Sequence, residues 1–180
     1  CRMLDLDPLT VRNGFLSFSG VKRRQEVRDI VGGITIIDDF AHHPSAVRET
    51  LMGLRAAYPQ HRLVAVFEPR SATSRRKIFQ HDYKMAFAVA DAVFISTPYD
   101  QSRIPAEDQF SSKQLVNDLT DADRHSELFS SVDDGVTALA KFCRSGDLLV
   151  VLSNGGFGGL IPKIIKKLGG PDPLKPEFCI

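Results

Sequence analysis

The sequence predicts an α/β fold: an open, mostly parallel sheet with helices on both faces, preceded by a short β-hairpin. Three observations predict it. Four apolar runs, Ile34–Ile37, Leu63–Phe67, Val93–Ile95 and Leu148–Leu152, are nearly continuous instead of alternating, as strands covered on both faces must be. Segments of helical period separate them. The first three runs begin at residues 34, 63 and 93, the spacing of a βαβ unit of about 30 residues.

In chain order, residues 1–11 form a connector to whatever precedes them. Phe15–Phe18 and Glu26–Val31 are expected to be the arms of a β-ribbon around the basic turn Gly20–Arg24. After the first buried strand, Val47, Leu51, Leu54 and Tyr58 fall on one helical face, and Phe79, Tyr83, Ala86 and Ala90 do so after the second. A short helix is expected over Ser112–Leu119 and a weak strand around Glu127–Phe129. Val132, Val136, Leu139 and Cys143 mark the helix before the last strand. Leu160, Ile161, Ile164, Ile165 and Leu168 mark the helix after it. The tail over 169–180 contains Pro171, Pro173 and Pro176 and should be irregular. Strands alternating with helices give a Rossmann-like sheet with right-handed crossovers.

Composition narrows the function. Lys and Arg number 23 against 22 Asp and Glu, for a net charge of +1. No global field recruits nucleic acid or an anionic membrane. No apolar run reaches the length of a membrane span. The three cysteines, at 1, 143 and 179, are odd in number, which fits a reducing cytosol better than a disulfide scaffold. The chain starts without Met or a signal-peptide pattern and is expected to be a fragment of a longer cytoplasmic protein.

In an open parallel sheet, ligands sit beyond the carboxyl ends of the strands. After the first strand comes Asp38-Asp39-Phe40-Ala41-His42-His43-Pro44. An aspartate there can accept two hydrogen bonds from a ribose diol. Equally, Asp39 can cap the helix that Pro44 begins, with the histidines solvated. His42 and His43 are adjacent and point apart if extended, so no metal site is expected. After the second strand, Glu68-Pro69-Arg70-Ser71 leads to Thr73, Arg75 and Arg76. Arginine forks there match carboxylate or phosphate, unless the loop is only a solvated surface. After the last strand, Asn154-Gly155-Gly156-Phe157-Gly158-Gly159 allows close backbone approach and backbone N–H contacts to an anion, or simply a tight connection. The chain contains no P-loop, no Ser nucleophile elbow and no zinc spacing.

These motifs resemble a known family. Asp39-Phe-Ala-His42-His43-Pro44 resembles the D-[YF]-[AG]-H-x-P motif that opens the C-terminal domain of the Mur ligases. Gly20-Val-Lys-Arg-Arg24-Gln-Glu26 resembles the hairpin at the entry to that domain. Phe67-Glu-Pro-Arg70-Ser71 with Arg75-Arg76, and Ser153–Gly159, are most similar to the branch that joins a muropeptide tripeptide to UDP-N-acetylmuramate in peptidoglycan recycling. The sister branch that adds L-alanine has F-Q-P-H in place of Phe67–Arg70.

The resemblance implies a three-domain, ATP-dependent amide ligase, monomeric and cytoplasmic, with no nucleic-acid or membrane partner. Residues 1–11 would hold the hinge from a central ATPase domain, and 12–168 would be the C-terminal domain. ATP and Mg²⁺ are the implied cofactors, the metal held mainly by the central domain. UDP-N-acetylmuramate and the tripeptide L-Ala-γ-D-Glu-meso-diaminopimelate are the implied substrates. Arg24, Asp39 and His42 would contact the nucleotide; Arg70, Ser71, Arg75, Asn154, Gly155 and Gly156 would face the incoming peptide. No catalytic group is expected in this segment, which alone should be inactive. The alternatives are the L-alanine ligase or a non-catalytic nucleotide- or anion-binding module.

Overall fold

The computed structural model describes residues 5–18 and 20–170. Six strands form one sheet in the order β1-β2-β6-β3-β4-β5. They are β1 (Glu26–Val31), β2 (Ile34–Asp39), β3 (Arg62–Phe67), β4 (Ala92–Ser96), β5 (His125–Phe129) and β6 (Asp147–Leu152). β2, β6, β3, β4 and β5 run parallel. β1 pairs antiparallel with β2. The helices are α1 (Pro8–Ser17), α2 (Pro44–Ala57), α3 (Gln80–Phe87), α4 (Ser112–Thr120), α5 (Val132–Phe142) and α6 (Leu160–Lys167).

The continuous apolar strands follow from burial on both faces. Along β3, Leu63, Ala65 and Phe67 pack with Leu51, Tyr83 and Leu115 on the α2–α3–α4 side. Val64 and Val66 pack with Leu139, Leu160 and Ile164 on the α5–α6 side. Each fully buried Leu or Ile in these two layers contributes about 2 kcal/mol. At the amino end of the sheet, Arg62 makes a paired contact with Asp147, Nε to Oδ1 at 2.8 Å and Nη2 to Oδ2 at 2.6 Å. That hydrogen bond raises the guanidinium pKa further. Among the described residues no helix is long and apolar enough to cross a membrane.

The hairpin exists, but its arms differ from those expected. Phe15-Leu16-Ser17 belongs to α1, and the strand expected over Phe15–Phe18 is absent. Asp7 caps this helix by accepting from the amides of Leu9 and Thr10, and Pro8 opens it; these local start signals override the Phe-Leu-Ser-Phe alternation. The partner of β1 is β2, joined through Gly32 and Gly33 at φ 58° and 77°. A two-residue hairpin turn with positive φ at both positions favours this Gly-Gly pair. α1 buries none of its residues and crosses the boundary expected between residues 11 and 12. The expected connector over residues 1–4 and the expected irregular tail over 171–180 lie outside the described residues.

Candidate functional site

β6 lies between β2 and β3, yet it was laid down last. α2 leaves β2 toward one face of the sheet and α6 leaves β6 toward the other. Neighbouring parallel strands whose helices depart to opposite faces open a crevice above their carboxyl ends. The loops after β2, β3, β4 and β6 meet at that rim.

At the β2 end the polar groups face inward. Asp39 is 2% exposed. Its Oδ2 accepts from the Gln25 amide at 2.8 Å. Its Oδ1 accepts from the Ala41 amide at 2.7 Å and from Thr50 Oγ1 at 3.4 Å. Asp38 points to the opposite face, where Arg23 and Arg28 each approach to 3.4 Å. Arg23 has φ 57°, and its Nη2 donates to the carbonyls of Ser153 at 2.5 Å and Gly155 at 2.8 Å. The turn before β1 is thereby tied to the glycine loop after β6. Helix α2 is capped not by Asp39 but by His43, with Pro44 in its first turn.

Phe40 is 36% exposed and gathers two of the expected nucleotide residues. The guanidinium of Arg24 lies 5.9 Å from its ring centroid, beside that of Arg23 at 5.3 Å. The His42 ring meets it edge-on at 5.3 Å. The His42 carbonyl accepts from Tyr83 Oη at 2.6 Å, and burial pushes the Tyr83 hydroxyl pKa up.

At the centre of the rim, the alternation that buries Val64 and Val66 carries on to Glu68, which is 7% exposed. Ser153 Oγ donates to Glu68 Oε2 at 2.5 Å, and Arg70 Nη1 lies 3.5 Å from Oε1. Arg70 is held on two further sides. Its guanidinium lies 4.0 Å from the Tyr99 ring centroid, a cation–π contact. A Cβ at position 155 would sit 2.4 Å from its Cδ, so glycine makes the space in which Arg70 lies. Two buried polar atoms at this rim, Ser96 Oγ and Asn154 Oδ1, have no hydrogen-bond partner among the described residues.

Of the remaining expected substrate residues, Ser71 turns inward. Its hydroxyl donates to Ser74 Oγ at 2.8 Å and accepts from the Ser74 amide at 3.0 Å. Arg75 bridges two loops, donating to the carbonyls of Ser71 and Asp100. Beside it lies a cavity of about 220 Å³ lined by Ala72, Arg75, Arg76, Asp100, Arg103 and Ile104. Gly156 is exposed, with open space where a Cβ would be. Among the described residues no group of three or more His, Cys, Asp and Glu is placed to hold a metal ion.

The sequence places Arg23 in the basic turn and Asp38, Glu68, Ser153 and Tyr99 in the segments that follow their strands, yet roles were expected only for neighbours such as Arg24, Asp39, Arg70 and Asn154; Arg103 was missed. Period 2 along β3 and β6 could have found Glu68 and Ser153, since it puts both on one face. Tyr99 stands in the segment Ser96–Asp100 that follows the third strand, whereas nothing local marks Arg103; the packing of the β3 and β4 loops brings both in.

The Mur ligase glutamate ligase domain matches residues 23–155. The UDP-N-acetylmuramate–L-alanyl-γ-D-glutamyl-meso-2,6-diaminoheptandioate ligase of Escherichia coli is 34% identical over 169 residues, covering 93% of this chain and 35% of that protein. The UDP-N-acetylmuramate–L-alanine ligase of Lachnoclostridium phytofermentans is 32% identical, covering 87% of this chain and 33% of that protein. A crystal structure of a murein peptide ligase from Psychrobacter arcticus superposes with a TM-score of 0.71 at 30% identity, over 90% of this chain and 33% of that one. The chain thus spans about a third of the length of its relatives. With the family match and the superposition in agreement, the chain belongs to the Mur ligase family, as its C-terminal domain.

Proposed function

We propose that this domain closes over the nucleotide and amine sites of an ATP-dependent ligase that joins L-Ala-γ-D-Glu-meso-diaminopimelate to UDP-N-acetylmuramate, in the cytoplasm and as a monomer. The observation that carries the amine specificity is the crowd of cations beyond β3 and β4. Arg70 is held on Tyr99, and Arg75, Arg76 and Arg103 line one cavity. L-Alanine brings one carboxylate and the tripeptide brings three, which several separate guanidinium forks suit better.

In this scheme a phosphoryl group from ATP activates the lactyl carboxylate as an acyl phosphate, and the amine displaces phosphate to form the amide. The residues of this chain bind and orient. Arg24, His42 and Phe40 offer a cationic, aromatic surface to the nucleotide. Asp39 offers Oδ2, which among the described residues accepts one hydrogen bond, from the Gln25 amide, to the ribose hydroxyls. Arg70 and Arg75 meet substrate carboxylates, and Ser71 keeps the loop between them in shape. Asn154, Gly155 and Gly156 wall the same crevice. Closure of the domain excludes water from the reactive acyl phosphate. The domain on its own is expected to turn over neither ATP nor an amide bond.

The second reading, an L-alanine ligase, is favoured by the similarity to relatives of that name. The deciding experiment is an amide-ligation assay of the full-length enzyme with each amine. A kcat/KM for the tripeptide at least about a hundredfold above that for L-alanine is expected; the reverse order rejects the tripeptide assignment.

A further inference from the structure

Two residues in the turn before β1 hold a backbone conformation that side chains disfavour. Arg23 has φ 57° and Gln25 has φ 49°, in the left-handed region that suits glycine. Such strain persists only where the surrounding contacts over-determine it, and here they are explicit. The Arg23 amide donates to Glu26 Oε2 at 2.7 Å, and its carbonyl accepts from the Phe40 amide at 2.9 Å. Its guanidinium reaches buried Asp38 and the carbonyls of Ser153 and Gly155. The Gln25 amide donates to buried Asp39. Consecutive aspartates at the end of β2 therefore pin the turn, Asp38 through Arg23 and Asp39 through Gln25. Arg24 stands between the two pinned residues and is exposed. Its guanidinium lies against the Phe40 ring and, among the described residues, pairs with no carboxylate. Arg62 offers the contrast: its two-pronged pairing with Asp147 joins β3 to β6 from ordinary strand backbone. Joining parts of the chain needs no left-handed residue. One on each side of Arg24 turns that single side chain outward and fixes its root.

We propose that Arg23 is a positioning residue for the ATP-dependent step: it aims Arg24 at the nucleotide and locks the glycine loop after β6 to the same turn. The inference rests on the nucleotide contact proposed above for Arg24. A long side chain loses rotamer freedom when it binds a ligand, and fixing its backbone beforehand lowers that cost. Because Arg23 Nη2 also holds the carbonyls of Ser153 and Gly155, a nucleotide that orders the turn orders the loop with it.

Calorimetric titration of the full-length protein with a non-hydrolysable ATP analogue and Mg²⁺ tests the clamp without requiring turnover. Arg23→Gly removes the side chain and suits the left-handed backbone, so it adds no strain. It should weaken the analogue about tenfold, and Arg24→Ala should do the same. The double variant should bind no more weakly than Arg24→Ala alone, since a residue acting through another then has nothing to act on. An Arg23 that served only the fold would give losses that add. Arg23→Lys keeps the charge beside Asp38 but not the fork; it should lose about threefold, and it takes the place of the glycine variant in every comparison if that variant fails to fold. Hydrogen exchange read by mass spectrometry gives a second signature: in the Arg23 variant the segments 20–26 and 153–159 should both exchange faster, while β3 should not. Wild-type affinity in the Arg23 variant beside a weakened Arg24→Ala, additive losses, or unchanged exchange over 153–159 overturns the proposal. Wild-type affinity in Arg24→Ala rejects the nucleotide contact itself, and the aiming role with it.

Discussion

At the β2 end of the rim, Asp38 and Asp39 are 5% and 2% exposed, and their oxygens accept from or pair with the turn before β1. At the β3–β4 end, the cations of Arg70, Arg76 and Arg103 sit on loops that are themselves braced by Ser71, Ser74 and Gln101, so the charged groups are left to face the crevice. Both ends are polar, yet one uses its charge to join parts of the chain and the other keeps its charge for something outside. Motif position alone does not separate these cases. Burial and partner geometry do.

The largest effect should come from the closed end. Asp39→Ala leaves the Gln25 and Ala41 amides without their acceptor and should lower stability by about 3 kcal/mol. Chemical denaturation would show this as a lower midpoint at unchanged slope. Asp39→Asn retains one acceptor oxygen and should recover about half of the loss. ATP binding should weaken as well, through the ribose contact proposed for Oδ2; wild-type ATP binding in Asp39→Ala would mean that the carboxylate serves the fold alone.

At the open end the order reverses. Arg70→Ala should raise the KM for the amine substrate about thirtyfold while leaving the KM for ATP unchanged, the loss of one charge-assisted pair of about 2 kcal/mol. Stability should change by less than about 1 kcal/mol, because the side chain is 34% exposed and Glu68 keeps its bond from Ser153. A shift in the KM for ATP instead would mean that the two ends of the rim have been exchanged.

How much of this was legible in the sequence follows from what each signal reports. The four buried strands and the five helices that cover the sheet were legible because an apolar run or stripe is a direct record of burial. Phe15–Phe18 misled because two-residue alternation over four positions also fits a short exposed helix, and Asp7 with Pro8 had already marked its start. The rim motifs located the crevice, but not which side chains face it. Ser71 and Asp39 have the residue types of ligand-binding groups and are buried. Tyr99 and Arg103 enter from a loop whose sequence carries no motif, placed by the pairing of β4 with β3.

Gly155 couples the two ends, since its carbonyl accepts from Arg23 and its Cα faces Arg70. Gly155→Ala should displace Arg70 from Tyr99 and raise the amine KM about fivefold, the worth of a partly exposed cation–π contact and some lost order. Gly156→Ala is the control, because no atom lies within 4 Å of its added Cβ. If both variants behave alike, the space beside Arg70 is not what position 155 provides.

The smallest effect concerns Asp100. Hydrogen bonds from the Ser102 hydroxyl and amide, with Arg75 and Arg103 nearby, hold its carboxyl below the usual value of 3.8. A carboxyl depressed in the folded protein adds stability above its unfolded pKa and loses it as pH falls through the folded one. Because Asp100 is fully exposed, that gain is slight, and the useful readout is its own titration. Ser102→Ala removes the leading cause, so the carboxyl resonance should titrate closer to 3.8 than in the wild type, while the unfolding midpoint at neutral pH stays put. An unmoved titration would mean that the arginines alone hold Asp100 ionised. Its charge would then be part of their ion cluster and not poised toward the crevice, which would remove the contrast between the two ends at the point where it is finest.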